Sequence, residues 1–219
     1  VEAYAEGKNF IEIDNVKRRI IELYEEDMNK IDKSGRISKI FDNIPCQLTS
    51  EKKRFVLSNV LKKQTTKKDE ELLSELLDSK TVLISYNTTD PSVSLSSSKD
   101  LDSYKLYLAD TGLFVTLLFH DENKIYKDIY SKLLSDKLDI NLGYLFENIT
   151  AQMIAASGRK LYYHTWRKPN STHQYEVDFL ITQKGKITPI EVKSSSIRYH
   201  NSIDEFTKKY SSITGNQYL

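Results

Sequence analysis

Three residues near the end of the chain have the types and spacing for metal-assisted chemistry: Asp178, Glu191 and Lys193. They lie in Tyr175-Glu176-Val177-Asp178-Phe179-Leu180-Ile181, then Thr182-Gln183-Lys184-Gly185-Lys186, then Ile187-Thr188-Pro189-Ile190-Glu191-Val192-Lys193. Both flanks alternate or run apolar in the manner of strands, and Lys184-Gly185 at the centre reads as a two-residue hairpin turn. Pairing Gln183 with Lys186 puts Asp178 directly opposite Glu191 and Glu176 opposite Lys193. Successive side chains alternate faces, so Glu191 and Lys193 share one side of the ribbon and Val192 points to the other. Directly opposed Cβ atoms in such a pair stand roughly 4.5–5.5 Å apart. Two carboxylates at that spacing repel unless a cation lies between them. A divalent metal with an ammonium beside it is one resolution. The other is a surface hairpin whose charges pair across the strands, Glu176 with Lys193 in particular.

Asp178 and Glu191 offer hard oxygen ligands, which suit magnesium or manganese better than zinc or copper. Such an ion needs only a couple of protein carboxylates and completes its shell with water and substrate phosphate. Water bound to it is more acidic than bulk water, and the ion neutralises charge that develops on a phosphodiester. Lys193 is placed to orient that water or to stabilise the phosphate. Glu147 is a fourth candidate. Its neighbours at helical spacing are Gly143, Thr150, Ala151 and Ile154, and a carboxylate among small and apolar residues calls for a specific cationic partner. Alternatively, Glu147 is a first-turn charge that interacts with the helix dipole.

The elements that must position these residues are legible in outline. Val16, Ile20, Leu23, Tyr24 and Met28 recur near helical spacing and predict an amphipathic helix over about 15–30. Ile37, Ile40 and Phe41, then Ile44-Pro45, then a helical run over 50–61, and Leu72, Leu73, Leu76 and Leu77 within 70–79, continue a helical region. A strand over 81–86 and a polar turn over 90–98 follow. Together these predict a helical segment over 1–35 and a winged-helix-like domain over 36–98. The remainder, 99–219, predicts an α/β unit: a strand over 105–108, a helix beginning at Asp110-Thr111-Gly112, and mixed helical spacing over 123–138. Next come the helix over 143–156 with Gly158 as its stop, a strand over 161–167, the hairpin, a helix over 202–210, and a further strand begun by Gln217-Tyr218-Leu219. On the 143–156 helix, Leu145, Phe146, Ile149, Met153 and Ala156 read as the apolar side, and Asn148, Gln152 and Arg159 as the polar stripe.

Composition narrows the function classes. Thirty-two basic residues against 31 acidic ones leave a net charge of +1, so nucleic acid would be drawn to a local patch rather than to the whole surface. The single cysteine, Cys46, excludes an internal disulfide and a thiolate metal cluster and fits a reducing, cytoplasmic setting. It reads as a small hydrophobe. No leader or apolar run of membrane-spanning length occurs, which argues against a membrane partner. His164 and His173 read as core or solvated histidines rather than ligands. Lys62-Lys63 and Lys67-Lys68 read as a solvated charged loop, with phosphate contact as the alternative.

The segments Glu176-Val177-Asp178-Phe179-Leu180-Ile181 and Pro189-Ile190-Glu191-Val192-Lys193-Ser194 resemble the restriction-endonuclease-like fold of the PD-(D/E)xK superfamily. In it an Asp and a Glu-x-Lys pair hold the metal, often with a Glu from the preceding helix. The resemblance implies Asp178 and Glu191 as ligands, Lys193 as the catalytic lysine and Glu147 as the helix carboxylate, with magnesium or manganese as cofactor and DNA as partner. Lys105-Leu106-Tyr107-Leu108-Ala109-Asp110-Thr111-Gly112-Leu113 and Gly143-Tyr144-Leu145-Phe146-Glu147-Asn148, taken with the hairpin, resemble the C-terminal region of a family of bacterial and archaeal AAA-type ATPases. There, a nuclease-like domain follows a winged-helix-like linker. Val1-Glu2-Ala3-Tyr4, the stretch 20–30, Ile44-Pro45 and Lys53-Arg54-Phe55 extend the likeness over nearly the whole chain. The phosphate-binding loop Gly-x-x-x-x-Gly-Lys-Ser/Thr does not occur in the sequence. The resemblance therefore implies a C-terminal fragment, with ATP bound only by an N-terminal ATPase domain of the parent protein, and leaves an oligomeric assembly open. A non-catalytic region that binds nucleic acid or ATPase subunits is the alternative.

Overall fold

The computed structural model describes residues 10–50, 53–119, 143–193 and 200–219. The first helix, α1 (Phe10–Ile31), ends where Asp32 turns its carboxylate onto the Ser34 and Arg36 backbone amides. Three short helices follow, α2 (Arg36–Asp42), α3 (Ile44–Thr49) and α4 (Leu57–Leu61), and then α5 (Lys67–Asp78). Among the described residues of the helical run expected over 50–61, helix forms only from Leu57. Before it, the Phe55 amide donates to the Tyr104 carbonyl at 2.8 Å, and the Phe55 ring stacks on Tyr104. A strand partner and a buried ring outweigh local helical preference there.

Strands β1 (Val82–Thr88), β2 (Lys99–Leu108), β3 (Leu161–Arg167) and β4 (Gln174–Val177) form one sheet in the order β2-β1-β3-β4. β1 runs antiparallel to β2 and parallel to β3, and β4 returns antiparallel to β3. β5 (Phe179–Gln183) and β6 (Lys186–Ile190) form an antiparallel hairpin. The helices α6 (Thr111–Leu118), α7 (Gly143–Ala156) and α8 (Asn201–Lys209) complete a mixed α/β architecture. The chain end makes isolated parallel bridges from Ile187 to Thr214 and from Ile190 to Tyr218, so of the strand expected to begin at Gln217-Tyr218-Leu219 only a single bridge at Tyr218 is formed. The expected 123–138 segment lies outside the described residues.

The hairpin expected to be the wing of a separate helical domain is built into this sheet instead, because β1 bonds to β3 along its other edge. Thr88 pairs with Lys99, so the division expected at residue 98 passes through a ladder. One core joins both sides of it, with Ile21, Ile40 and Leu76 in the same cluster as Leu106, Leu161 and Phe179.

The β5–β6 register matches the sequence reading: Gln183 pairs with Lys186 and Phe179 with Ile190. Lys184 (φ 50°) and Gly185 (φ 76°) both adopt the left-handed conformation that a type I′ turn demands, and glycine pays no steric penalty for it. The ribbon changes partners at Asp178. Before it, β4 bonds to β3; after it, β5 bonds to β6.

A second cluster gathers Leu95, Tyr162, Val177, Leu180, Ile187 and Phe206. Beside it, His164 is buried and stacked on Trp166, with Nδ1 2.5 Å from the Thr88 carbonyl and Nε2 3.1 Å from the Tyr210 hydroxyl. A carbonyl only accepts, so Nδ1 carries the proton and Nε2 accepts from Tyr210. Burial pushes this imidazole down to about 4, against the pull of the Thr88 bond. The unfolded chain therefore binds the extra proton between roughly pH 6.5 and 4, and stability rises with pH across that window. Full stability is present above the unfolded value and is lost as pH falls toward 4, by an amount on the order of 3 kcal/mol. Urea unfolding at pH 7, 5.5 and 4 should show this loss, and His164→Asn should flatten it. An equal slope in both proteins would assign the acid sensitivity elsewhere.

Candidate functional site

The site grows from a lysine in an unusual place. Within β2, Tyr104, Leu106 and Leu108 are buried, and so is Lys105 between them, with no exposed surface. Lys105 Nζ donates to Glu147 Oε1 at 2.8 Å and to Glu176 Oε1 at 2.7 Å, and lies 4.9 Å from the centre of the Tyr163 ring. Tyr107, two residues on and therefore on the same face, donates its hydroxyl to Glu147 Oε1 at 2.6 Å. Lys53, from the segment that leads into α4, donates to Glu147 Oε2. The fully buried Glu147 thus has the cationic partner its setting demands, in fact two.

Asn148 fixes α7 so that this meeting occurs. Its side chain accepts from the Leu108 amide at 2.9 Å and donates to the Leu108 carbonyl at 3.0 Å, as a neighbouring strand would. Gln152, one turn further, accepts from the Thr111 amide and hydroxyl. Asn148 and Gln152, read as part of a polar stripe, therefore face β2 and α6, whereas Arg159 of that stripe is exposed. Phe146, Ile149 and Met153, read as the apolar side, are exposed. Helix rotation follows the buried polar bonds, because leaving those groups unpaired costs more than exposing a few apolar side chains.

Asp178 sits at the partner switch between β4 and β5, 6 % exposed, with Oδ2 accepting from the Val192 amide at 2.8 Å. Its Oδ1 faces Lys53 Nζ at 3.8 Å and Lys105 Nζ at 4.0 Å, beyond hydrogen-bond reach. Glu191 follows the end of β6 and is 7 % exposed. Its Oε1 accepts from Lys193 at 2.6 Å, and its Oε2 is buried with no hydrogen-bond partner among the described residues. The cross-strand pairing of Glu176 with Lys193 is not adopted. Glu176 is held by Lys105, and Lys193 by Glu191.

The charges polarise the cluster. Burial alone would push the Glu147 carboxyl up, but Lys105 and Lys53 outweigh it and hold it below the usual carboxylate range. Burial also opposes the Lys105 ammonium, yet Glu147 and Glu176 keep its pKa well above normal. Asp178 goes the other way: burial and the nearby Glu147 charge raise it, and the two lysines do not fully compensate. Burial raises Glu191 as well, against the stabilising bond from Lys193.

Glu147, the further candidate beside Asp178 and Glu191, does not join them in a metal-holding group. Among the described residues no group of three or more histidine, cysteine, aspartate or glutamate side chains is arranged to hold an ion. The physical reason is that Glu147 spends both oxygens on ammonium groups and a phenol. Asp178 Oδ1 and Glu191 Oε2 remain without hydrogen-bond donors among the described residues, and two such oxygens suffice for magnesium, which keeps several waters.

Other candidates fall outside the cluster. His164 is a core residue and His173 is exposed. Cys46 is exposed rather than packed as a hydrophobe. Lys63 pairs with the buried Asp69, which also caps α5 through Thr66. Sequence reasoning missed Lys53, Lys105 and Tyr107. A lysine in the interior of an apolar strand was the available signal for Lys105.

The fold and site define a mixed α/β protein with a buried lysine–carboxylate network beside a two-carboxylate hairpin. Residues 1–124 match a family described as a domain of unknown function (DUF8612), and the chain belongs to that family. Residues 142–218 match a second domain of unknown function (DUF4143). No curated protein and no solved structure matches the chain. Lys53, Lys105 and Tyr107 come from the first matched range, and Glu147, Glu176, Asp178, Glu191 and Lys193 from the second, so the cluster is built by both. No described helix is long and apolar enough to cross a membrane.

Proposed function

We propose that this chain is the nuclease-like C-terminal region of an AAA-type ATPase, with a PD-(D/E)xK-type site that binds magnesium or manganese and hydrolyses DNA phosphodiester bonds. ATP would be bound by an N-terminal ATPase domain of the parent protein. The observation that carries the reading is the bond from the Val192 amide to Asp178 Oδ2, which sets Asp178 beside the Glu191-Val192-Lys193 segment at the open end of one hairpin. A buried Glu191 oxygen there lacks a partner among the described residues, and Lys193 lies against the same carboxylate. A divalent ion held by Asp178 and Glu191 would supply charge neutralisation and an acidified water. Lys193 brings an ammonium to the phosphate, and Glu191 holds that ammonium in place. Lys53 and Lys105 stand 3.8 and 4.0 Å from Asp178 Oδ1 and partly offset its charge.

A second reading rests on the same lysines. With Glu147 satisfied entirely by Lys53, Lys105 and Tyr107, the network serves equally well as a permanent ion-paired core in a non-catalytic binding region. Nicking of supercoiled DNA in magnesium or manganese separates the two. Under the first reading Asp178→Asn, Glu191→Gln and Lys193→Ala each lower the nicking rate by roughly a hundredfold or more while the thermal midpoint holds. A parent protein that cuts no DNA in either metal would favour the second.

A further inference from the structure

Beside β1, between it and the start of β3, lies a cleft of two adjoining lobes, about 290 and 330 Å³. They share Ser96, Arg159, Lys160 and Tyr162. The larger lobe extends along β5 to Leu180 and Thr182, and the smaller reaches Leu83, Tyr86 and Lys99. We propose that this cleft binds a nucleotide unit of single-stranded nucleic acid, with Lys99, Arg159 and Lys160 on the phosphates and the tyrosine and aliphatic walls against the base.

Charge distribution is the first argument. The protein carries almost equal numbers of acidic and basic residues, yet neither lobe has an aspartate or glutamate among the described residues that line it, while three cations converge there. They arrive from separate segments: Lys99 opens β2, and Arg159-Lys160 occupy the turn from α7 into β3. That turn is set by Gly158, whose φ of 78° reverses the chain and sends the next two residues onto the cleft wall.

The walls are the second argument. Tyr86 and Tyr162 supply aromatic surface, Leu83, Ile84 and Leu161 supply aliphatic surface, and Lys99 Nζ already lies 5.1 Å from the Tyr86 ring centre. Apolar walls with a few convergent polar groups, at about 300 Å³, define a small-ligand site. An aromatic platform flanked by cations suits a base and its phosphate, since stacking tolerates any base and the cations follow the backbone. The two lobes in series suit consecutive units of a strand better than one isolated ligand. Ala155 at the cleft and Glu147 at the carboxylate cluster are eight residues apart on α7, which places the two sites about 12 Å apart along the helix.

The identity of the ligand rests on the phosphodiesterase reading, but its test does not. Binding of a fluorescein-labelled oligothymidylate is measured by anisotropy in EDTA, where no strand is cut, alongside calorimetry with thymidine monophosphate. Arg159→Gln/Lys160→Gln should weaken oligonucleotide binding at least tenfold and reduce the slope of log affinity against log salt by about 1.4, two phosphate contacts' worth. Tyr86→Ala should weaken it with the salt slope unchanged. Equal affinity of parent and double variant overturns the proposal, whatever the nicking assay gives. Tight binding of the monophosphate with none of the strand reassigns the cleft to a free nucleotide and overturns the strand assignment. If Asp178→Asn abolishes nicking while all cleft variants cut and bind normally, only the cleft proposal fails.

Discussion

Replacing Lys105 by methionine lowers the free energy of unfolding by about 3–5 kcal/mol, the cost of stranding a buried charge by deleting its partner. The site gives the reasons. Lys105 is fully buried and bridges Glu147 and Glu176, and Glu147 is itself without exposed surface. Methionine fills the volume of the lysine stem but leaves Glu147 facing Asp178 with one ammonium instead of two. Urea unfolding at neutral pH measures the loss. The companion Lys105→Met/Glu147→Gln removes both charges, and it should regain a substantial part of the stability, because an apolar group beside an amide costs less than an unpaired carboxylate. If the double variant is as unstable as the sum of the single ones, the two residues do not act as a pair, and the account of the network fails.

What the sequence allowed to be read divides along a physical line. The hairpin register was legible because it is a local matter: Lys184-Gly185 selects the turn, and a two-residue turn fixes every pair up the ladder to Asp178 and Glu191. The need for a cation at Glu147 was legible from its small and apolar helical neighbours. Which cation was not, because Lys105 and Lys53 lie 42 and 94 residues away and meet Glu147 only through the sheet. The rotation of α7 was misread for a related reason. Periodicity weighs apolar side chains, whereas Asn148 and Glu147 set the buried face through bonds to β2 that no local pattern announces. The β1–β3 pairing was out of reach for the same reason, since it joins in parallel residues that are distant in the chain.

If the Asp178–Glu191 pair holds a divalent ion as proposed, replacing Lys53 by glutamine tightens its manganese binding at least tenfold. Lys53 Nζ is bonded to Glu147 and stands 3.8 Å from Asp178 Oδ1, the oxygen left open to a metal. An arriving dication meets this ammonium as a like charge. At about 4 Å and an effective dielectric near 20, unit charges interact by roughly 4 kcal/mol, and part of that is screened because the lysine is one-third exposed. Even a third of this energy is a factor of about ten in affinity. Glu147 keeps Lys105 and Tyr107 when Lys53 is lost, so the fold should survive better than in Lys105→Met. Calorimetric titration of manganese into the parent, Lys53→Gln and Lys53→Gln/Asp178→Asn measures this directly, without any cleavage assay. Tighter binding in the single variant that disappears in the double one places the lysine and the metal in competition for Asp178. Unchanged affinity in Lys53→Gln would mean that the ammonium and the ion occupy separate positions, and the lysines would then be structural cations alone.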